Sequence, residues 1–226
     1  MGWCPKCFKY YQWLFKEFDE FLGPTILEVG AGMGNFSTLL LNSGVKRLFI
    51  LEPSDNLLSR LRSRVSSPPA VMIHGTFEES WRSLSREKID TIVCVNVLEH
   101  MDDDLGVLKT MNRMLSPGGA LCLFVPALPW LYGTLDHVFG HRRRYMKSGL
   151  ALRLKAANFE IVTMKYFNSV GILTWFLMGK VLRLTQWKAG SVKLFDRWVV
   201  PMLKRFERTV GSPPMGQSLI CIAKKS

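Results

Sequence analysis

The sequence predicts an α/β fold: a largely parallel sheet with helices on both faces and a helical insert between the last two strands. Three observations carry that expectation. Short apolar runs alternate with helix-length stretches through most of the chain, as crossover connections between parallel strands require. A glycine-rich loop follows the first apolar run and opens directly into a helix. About 50 residues, 167–217, separate the last two strand candidates, far more than an ordinary connection uses.

Taken in order, residues 1–22 are expected to form an N-terminal helix and residues 23–166 the core of a single domain spanning 1–226. Strands are expected at Thr25–Val29, Arg47–Leu51, Ala70–Ile73, Ile89–Asn96 and Ala120–Val125, with helices beginning near Asn35, Ser54, Thr76 and Asp102. In the last of these Leu105, Leu108, Met111 and Leu115 recur at helical spacing, and Asp102 is placed to cap it. Ser116-Pro-Gly-Gly119 should break that helix and turn into the fifth strand. A helix at Ser148–Ala157 and a strand at Phe159–Tyr166 follow, and a final strand opens at Ser218. Between them Trp175, Phe176, Trp187, Phe195, Trp198 and Phe206 lie among many Lys and Arg, which reads as helices covering one end of the sheet, a lid first and an interfacial helix second. Its most apolar stretch, Val170–Met178, is too short to cross a bilayer.

Of the 226 residues, 48% are hydrophobic, enough for one sizeable core. The opening residues lack the apolar run and cleavage site of a signal peptide. Five cysteines, three of them in expected core strands, argue against a disulfide framework and for a reducing, cytoplasmic setting, with peripheral membrane contact as a further option. Cys4-Pro-Lys-Cys7 is a single CxxC, and with no second pair a zinc site is not expected. The net charge of +12 is concentrated in residues 141–226, which hold 17 Lys/Arg against 3 Asp/Glu. Such a field attracts phosphates, nucleic acid or an anionic membrane without choosing among them.

The chemistry centres on Ile26-Leu-Glu-Val-Gly-Ala-Gly-Met-Gly-Asn-Phe36. Glycines at 30, 32 and 34 allow a tight turn and close approach of a ligand. Glu52, 24 residues beyond Glu28, ends the second strand, where a carboxylate can accept ribose hydroxyls. A dinucleotide fingerprint would need its third glycine at position 35, which is Asn. Glu28 beside the loop would repel a pyrophosphate, yet favours the sulfonium and ammonium of S-adenosylmethionine.

Glu28-Val-Gly-Ala-Gly-Met-Gly34 resembles the first motif of class I S-adenosylmethionine-dependent methyltransferases, and Leu51-Glu-Pro-Ser54 the acidic motif that follows it. Ile89–His100 is similar to the fourth-strand motif and Leu115–Leu121 to the fifth. The resemblance implies a Rossmann-like seven-stranded sheet with S-adenosylmethionine as cofactor. It places Glu28, Gly30, Ala31, Gly32, Gly34 and Asn35 at the methionine part and Glu52 at the ribose. It puts Pro53, Thr76 and Phe77 around the adenine, and Asn96, Val97 and Leu98 beneath the cofactor. The family usually has Asp at position 76, where this chain has Thr.

The loop from Val125 to Tyr145 should meet the acceptor. It resembles that of bacterial methyltransferases often encoded near glycosyltransferases. His141 or His137 could take a proton from the acceptor, with Tyr145 beside them, or the histidines could simply brace the loop. Arg143 and Arg144 could clamp an acidic group on the acceptor beside Trp130 and Tyr132, or the arginines could form a solvated face. Glu99-His100 resembles a pair that helps bind a divalent metal in some quinone-biosynthesis relatives, but two ligands make no site and no metal is expected. The function that follows is methyl transfer to oxygen or carbon of a small or lipid-like acceptor. A nucleic-acid (RNA) methyltransferase that grips phosphates with the basic C-terminal half is the first alternative, disfavoured because Asn96-Val-Leu-Glu99 lacks the Pro-Pro-aromatic run of amino-methylating enzymes; a non-catalytic cofactor-binding module is the second.

Overall fold

The computed structural model describes residues 8–65, 68–184, 195–201, 203–205 and 213–226. Cys4, Cys7, Trp187 and Phe206 lie outside the described residues.

Helix α1 (Phe8–Phe18) leads into a regular βα succession: β1 (Thr25–Val29), α2 (Asn35–Asn42), β2 (Arg47–Glu52), α3 (Asp55–Arg64), β3 (Ala70–His74), α4 (Phe77–Leu84), β4 (Ile89–Val95), α5 (Asp104–Met114) and β5 (Leu115–Pro126). Beyond β5 come α6 (Thr134–Phe139), α7 (Lys147–Ala156), β6 (Phe159–Phe167), α8 (Val170–Trp175), a π-helical turn Phe176–Val181, and β7 (Ser218–Lys225). The seven strands form one sheet in the order β3-β2-β1-β4-β5-β7-β6. The first five are parallel, whereas β7 runs antiparallel between β5 and β6. From β1 the chain winds outward to β3, then crosses back to β4. The carboxyl ends of β1 and β4 therefore flank the crevice where such sheets take ligands.

Alternate side chains of each strand point to opposite faces, so both faces are built from one continuous apolar run. Leu27, Val29, Leu51, Ile92, Cys94, Leu121 and Leu123 pack under α4, α5 and α7. Ile26, Leu48, Ile50, Val93, Cys122 and Phe124 face the other way, toward α1, α2 and α3. Cys94, Cys122 and Cys221 are buried free thiols within these two layers.

Two expectations change. Asp103, not Asp102, caps α5: its Oδ1 accepts the Gly106 amide at 2.9 Å. Ser116–Gly119 does not separate helix from strand. Leu115 already pairs with Ile89 and Ala120 with Thr91, so the four intervening residues loop out as a wide irregularity inside β5, with Gly118 at φ 73°. Thr76 caps α4 through a reciprocal capping box with Glu79.

Candidate active site

The floor of the crevice is set by how β1 ends. Gly30 adopts φ 73°, and a Cβ there would lie 2.4 Å from Cγ2 of Val97, so only glycine lets the loop close on the end of β4. The amides of Gly30 and Ala31 donate to Leu51 O at 2.9 and 3.0 Å, which ties the loop to β2. Gly32 is also left-handed at φ 57°, but no atom lies within 4 Å of where its Cβ would be. Its missing side chain is cavity.

Glu52 closes the loop from the side. Its Oε2 accepts the Gly32 amide at 2.7 Å and its Oε1 the Ser54 amide at 2.9 Å. A carboxylate has further lone pairs, so both oxygens can still accept a ligand hydroxyl. Glu28 is 4% exposed, its Oε2 has no hydrogen-bond partner among the described residues, and burial pushes its carboxyl up to about 7. Asn96 holds φ 53° at the end of β4, a conformation few side chains adopt and one that persists mostly at functional sites.

These elements surround a cavity of about 480 Å³ lined by Glu28, Gly30, Ala31, Gly32, Asn35, Glu52, Pro53, Asn96 and Val97, and also by Tyr11, Met33, Phe36, Leu57, Val95, His100, Phe139 and His141. Tyr11 comes from α1, an element whose apolar spacing reads as packing and gives no sign of a site. Gly34 does not line the cavity; a Cβ on it would meet Leu61 at 2.6 Å, so it serves helix packing. Thr76, Phe77 and Leu98 stand elsewhere as well. Thr76 is the cap of α4, and Phe77 and Leu98 are core residues at 2% and 0% exposure.

The loop after β5 forms the opposite wall. Asp136, fully buried at the middle of α6, accepts from His141 Nδ1 at 2.8 Å, Arg144 Nε at 2.8 Å, Gly133 N at 3.0 Å and Trp175 Nε1 at 3.1 Å. Burial opposes its charge, but the His141 bond and the adjacent Arg144 guanidinium outweigh that and hold the carboxyl below its ordinary range. Because a carboxylate only accepts, the His141 proton sits on Nδ1 and leaves Nε2 as the basic nitrogen. That Nε2 lies 3.7 Å from Oε1 of Glu99, a buried side chain whose two oxygens have no hydrogen-bond partner among the described residues and whose carboxyl burial raises to about 8. His100 Nδ1 is bonded to Gly140 O at 2.9 Å. One ligand atom each of Glu99, His100 and His141 lies within 4.8 Å of the others, a spacing that would also admit a cation.

Several loop residues take other positions than their sequence suggests. Arg144 is not available as a clamp: it is buried between Asp136 and Ala127 O, with its guanidinium 4.8 Å from the Trp175 ring. Arg143 is tied to Asp104 at 3.1 Å and to Asp102 O. Tyr145 is buried with its hydroxyl donating to Asp104 at 3.0 Å, and burial raises its phenol further from ionisation, so it cannot serve as a proton acceptor. His137 is exposed and packs edge-on against Tyr132 at 4.9 Å, away from the cavity lining. Tyr132 donates to His141 O at 2.6 Å and so braces the histidine's backbone, while Trp130 stands 46% exposed on the outer surface. Asp136, Phe139 and Tyr11 are site residues the sequence did not single out, and Trp175 was legible only as part of the covering helices. Only the position of Asp136, five before His141, hinted at any of the first three.

The donor set suits a cationic nucleoside. Two buried carboxylates flank a side-chain-free bend, one of them with an orphaned oxygen, and among the described residues no Lys or Arg lines the cavity to receive a diphosphate.

Comparison with known proteins agrees. A family profile described as a methyltransferase domain matches residues 6–164. A ubiquinone biosynthesis O-methyltransferase of Hydrogenovibrio crunogenus is 30% identical over 105 residues, covering 46% of this chain and 43% of that protein. One from Xanthomonas campestris pv. campestris is 31% identical over 105 residues, 45% of this chain and 42% of that protein. The chain thus spans less than half the length of these relatives. Among solved structures, a SAM-dependent methyltransferase from Archaeoglobus fulgidus superposes with a TM-score of 0.64 at 17% identity, over 96% of this chain and 93% of that one. An S-adenosylmethionine-dependent methyltransferase from Mesorhizobium loti also gives 0.64, at 15% identity, over 96% and 98%. The chain therefore belongs to the methyltransferase-domain family and has the fold of the S-adenosylmethionine-dependent methyltransferases on which it superposes.

Proposed function

We propose that this protein methylates a hydroxyl oxygen of a small or lipid-like acceptor. The observation that supports it most is the Asp136–His141 pair in the wall of the cavity that Glu28 and Glu52 also line. S-adenosylmethionine supplies an activated methyl group when bound. Glu52 would hold its ribose hydroxyls, Glu28 its cationic end, and the Gly30–Gly32 bend would admit its backbone-facing side. A hydroxyl must lose its proton as it is methylated, and His141 Nε2, with the ring oriented by Asp136, is the atom placed to take it. Phe139 and Tyr11 give the same cavity an apolar margin that suits an aromatic or prenyl-type acceptor. The O-methyltransferase names of the relatives agree with oxygen rather than carbon.

Residues 167–184 act in this reading as a lid: Trp175 packs 6.0 Å from the Phe139 ring and donates to Asp136. The ten Lys/Arg against two Asp/Glu between residues 167 and 226 favour action at an anionic membrane on the cytoplasmic side. The test is transfer of labelled methyl groups from S-adenosylmethionine to a panel of catechols and polyprenyl phenols, with bulk RNA in parallel. Label in the phenols that falls when His141 is replaced supports the proposal. Label in RNA alone, or in neither pool from protein that binds the cofactor, overturns it.

A further inference from the structure

Helix α8 and the π-helical turn after it are amphipathic the wrong way round for a surface segment in water. Gly171, Trp175 and Gly179, spaced four apart, face inward and are buried. The outward face is apolar: Leu173, Phe176, Leu177, Val181 and Leu182 are between 39% and 62% exposed. Trp130 extends the same face from the loop after β5, its ring 6.4 Å from that of Phe176. Contiguous exposed apolar side chains of this kind mark an interaction surface rather than ordinary solvent contact.

We propose that this face is a seat for an anionic lipid bilayer, on which the protein rests while drawing its acceptor from the membrane. The charge on the face selects the partner. Lys180 and Arg183 sit among the apolar residues, and no Asp or Glu occurs between Val170 and Leu184. An apolar face edged only by cations complements acyl chains beneath anionic headgroups. The twelve residues Val170–Val181 span about 18 Å, well short of the ~30 Å hydrocarbon core, so the segment lies in the interface instead of crossing it. No helix among the described residues is long and apolar enough to cross a membrane.

The seat is fastened to the site. Trp175, on the inner side of the same helix, donates to Asp136 at 3.1 Å, and Asp136 holds His141. Phe139, whose ring is 6.0 Å from that of Trp175, lines the cavity. Wherever the face docks, the proposed base two contacts inward and the cavity wall at Phe139 are brought near the same surface. A lipid-like acceptor then needs no passage through water. This inference rests on the methyl-transfer reading for the acceptor, but not for the docking itself.

The experiment is flotation of the intact protein with vesicles of equal parts phosphatidylglycerol and phosphatidylcholine, at low and high salt, against pure phosphatidylcholine. The expected result is binding to the anionic vesicles that weakens with salt. Leu177→Glu with Leu182→Glu should lower the affinity at least ~100-fold. Lys180→Glu with Arg183→Glu, which alters no buried group, should lower it about 30-fold. Cofactor binding by calorimetry in the same preparations checks the fold and keeps the two readings apart. Retained cofactor binding without flotation overturns the seat alone; flotation without cofactor binding overturns the enzymatic reading alone. Variants that float as well as the parent overturn the seat too. So does a parent dimer in sedimentation velocity that the Leu177/Leu182 substitutions split, because the face then belongs to a second copy.

Discussion

His141 Nδ1 stands 2.8 Å from Oδ1 of Asp136, and both side chains are buried. A carboxylate in that place fixes ring orientation and tautomer together, a relation that makes an otherwise ordinary loop histidine chemically directed.

Replacing His141 by Asn should lower turnover by about 10²–10³-fold while leaving cofactor affinity within about twofold, since a lost proton acceptor costs rate and not ground-state binding. Asp136→Asn should cost less turnover but move the acidic limb of the pH–rate profile, where a base must lose its proton, because the ring loses its orienting charge. Steady-state kinetics across pH distinguishes the two variants. Equal turnover in parent and His141→Asn rejects the base.

Glu52→Ala should weaken S-adenosylmethionine binding by about 10²-fold, the loss of hydrogen bonds to a charged acceptor. It also frees the Gly32 and Ser54 amides, so the melting temperature of the ligand-free protein should drop by several degrees. Glu52→Gln keeps an acceptor for one amide and should fall between. Calorimetry and a thermal melt read the two effects separately.

The raised carboxyl of Glu28 makes cofactor affinity depend on pH. In the free cavity the group is protonated below about pH 7, above its ordinary 4.5. A bound cation favours the carboxylate and lowers that value. Binding therefore releases a proton near and below neutrality, and affinity weakens by up to about tenfold per unit as pH falls through that window. Above it affinity is flat. Calorimetry in two buffers of different ionisation enthalpy measures the proton directly, and Glu28→Gln should abolish its release.

Gly32→Ala separates ligand space from packing. No atom lies within 4 Å of its Cβ position, so the ligand-free fold should lose only the left-handed strain, ~1 kcal/mol. Cofactor binding should nevertheless fall by at least tenfold. Gly30→Ala, whose Cβ would lie 2.4 Å from Val97, should instead unfold the loop and lower the melting temperature sharply.

What could be read beforehand was what is local. The Gly30–Gly34 bend, Glu28 and Glu52 are fixed by strand ends a few residues away, and the alternation of buried side chains from Thr25 to Val95 follows from the pleat. What could not be read depends on distant partners. The Trp175–Asp136 bond joins residues 39 apart, so neither announced the other. Arg142–Arg144 read as one cationic run, yet the three point to Asp102, Asp104 and Asp136 respectively, three acids no spacing rule assigns. Thr76 and Phe77 were drawn toward the adenine by the motif. A capping box and the core claimed them instead, since Glu79 lies one helical turn on and Phe77 falls on the inward face of α4.

The antiparallel slot of β7 bears on biosynthesis. Among the described residues β6 hydrogen-bonds to no strand but β7, and β5 is covered on that side by β7. Until residues 218–225 leave the ribosome, two long strand edges stay unpaired on the nascent chain, each a template for pairing with another polypeptide. Translation arrest or proteolytic nicking ahead of Ser218 would thus yield not a shortened enzyme but an aggregation-prone, chaperone-dependent intermediate.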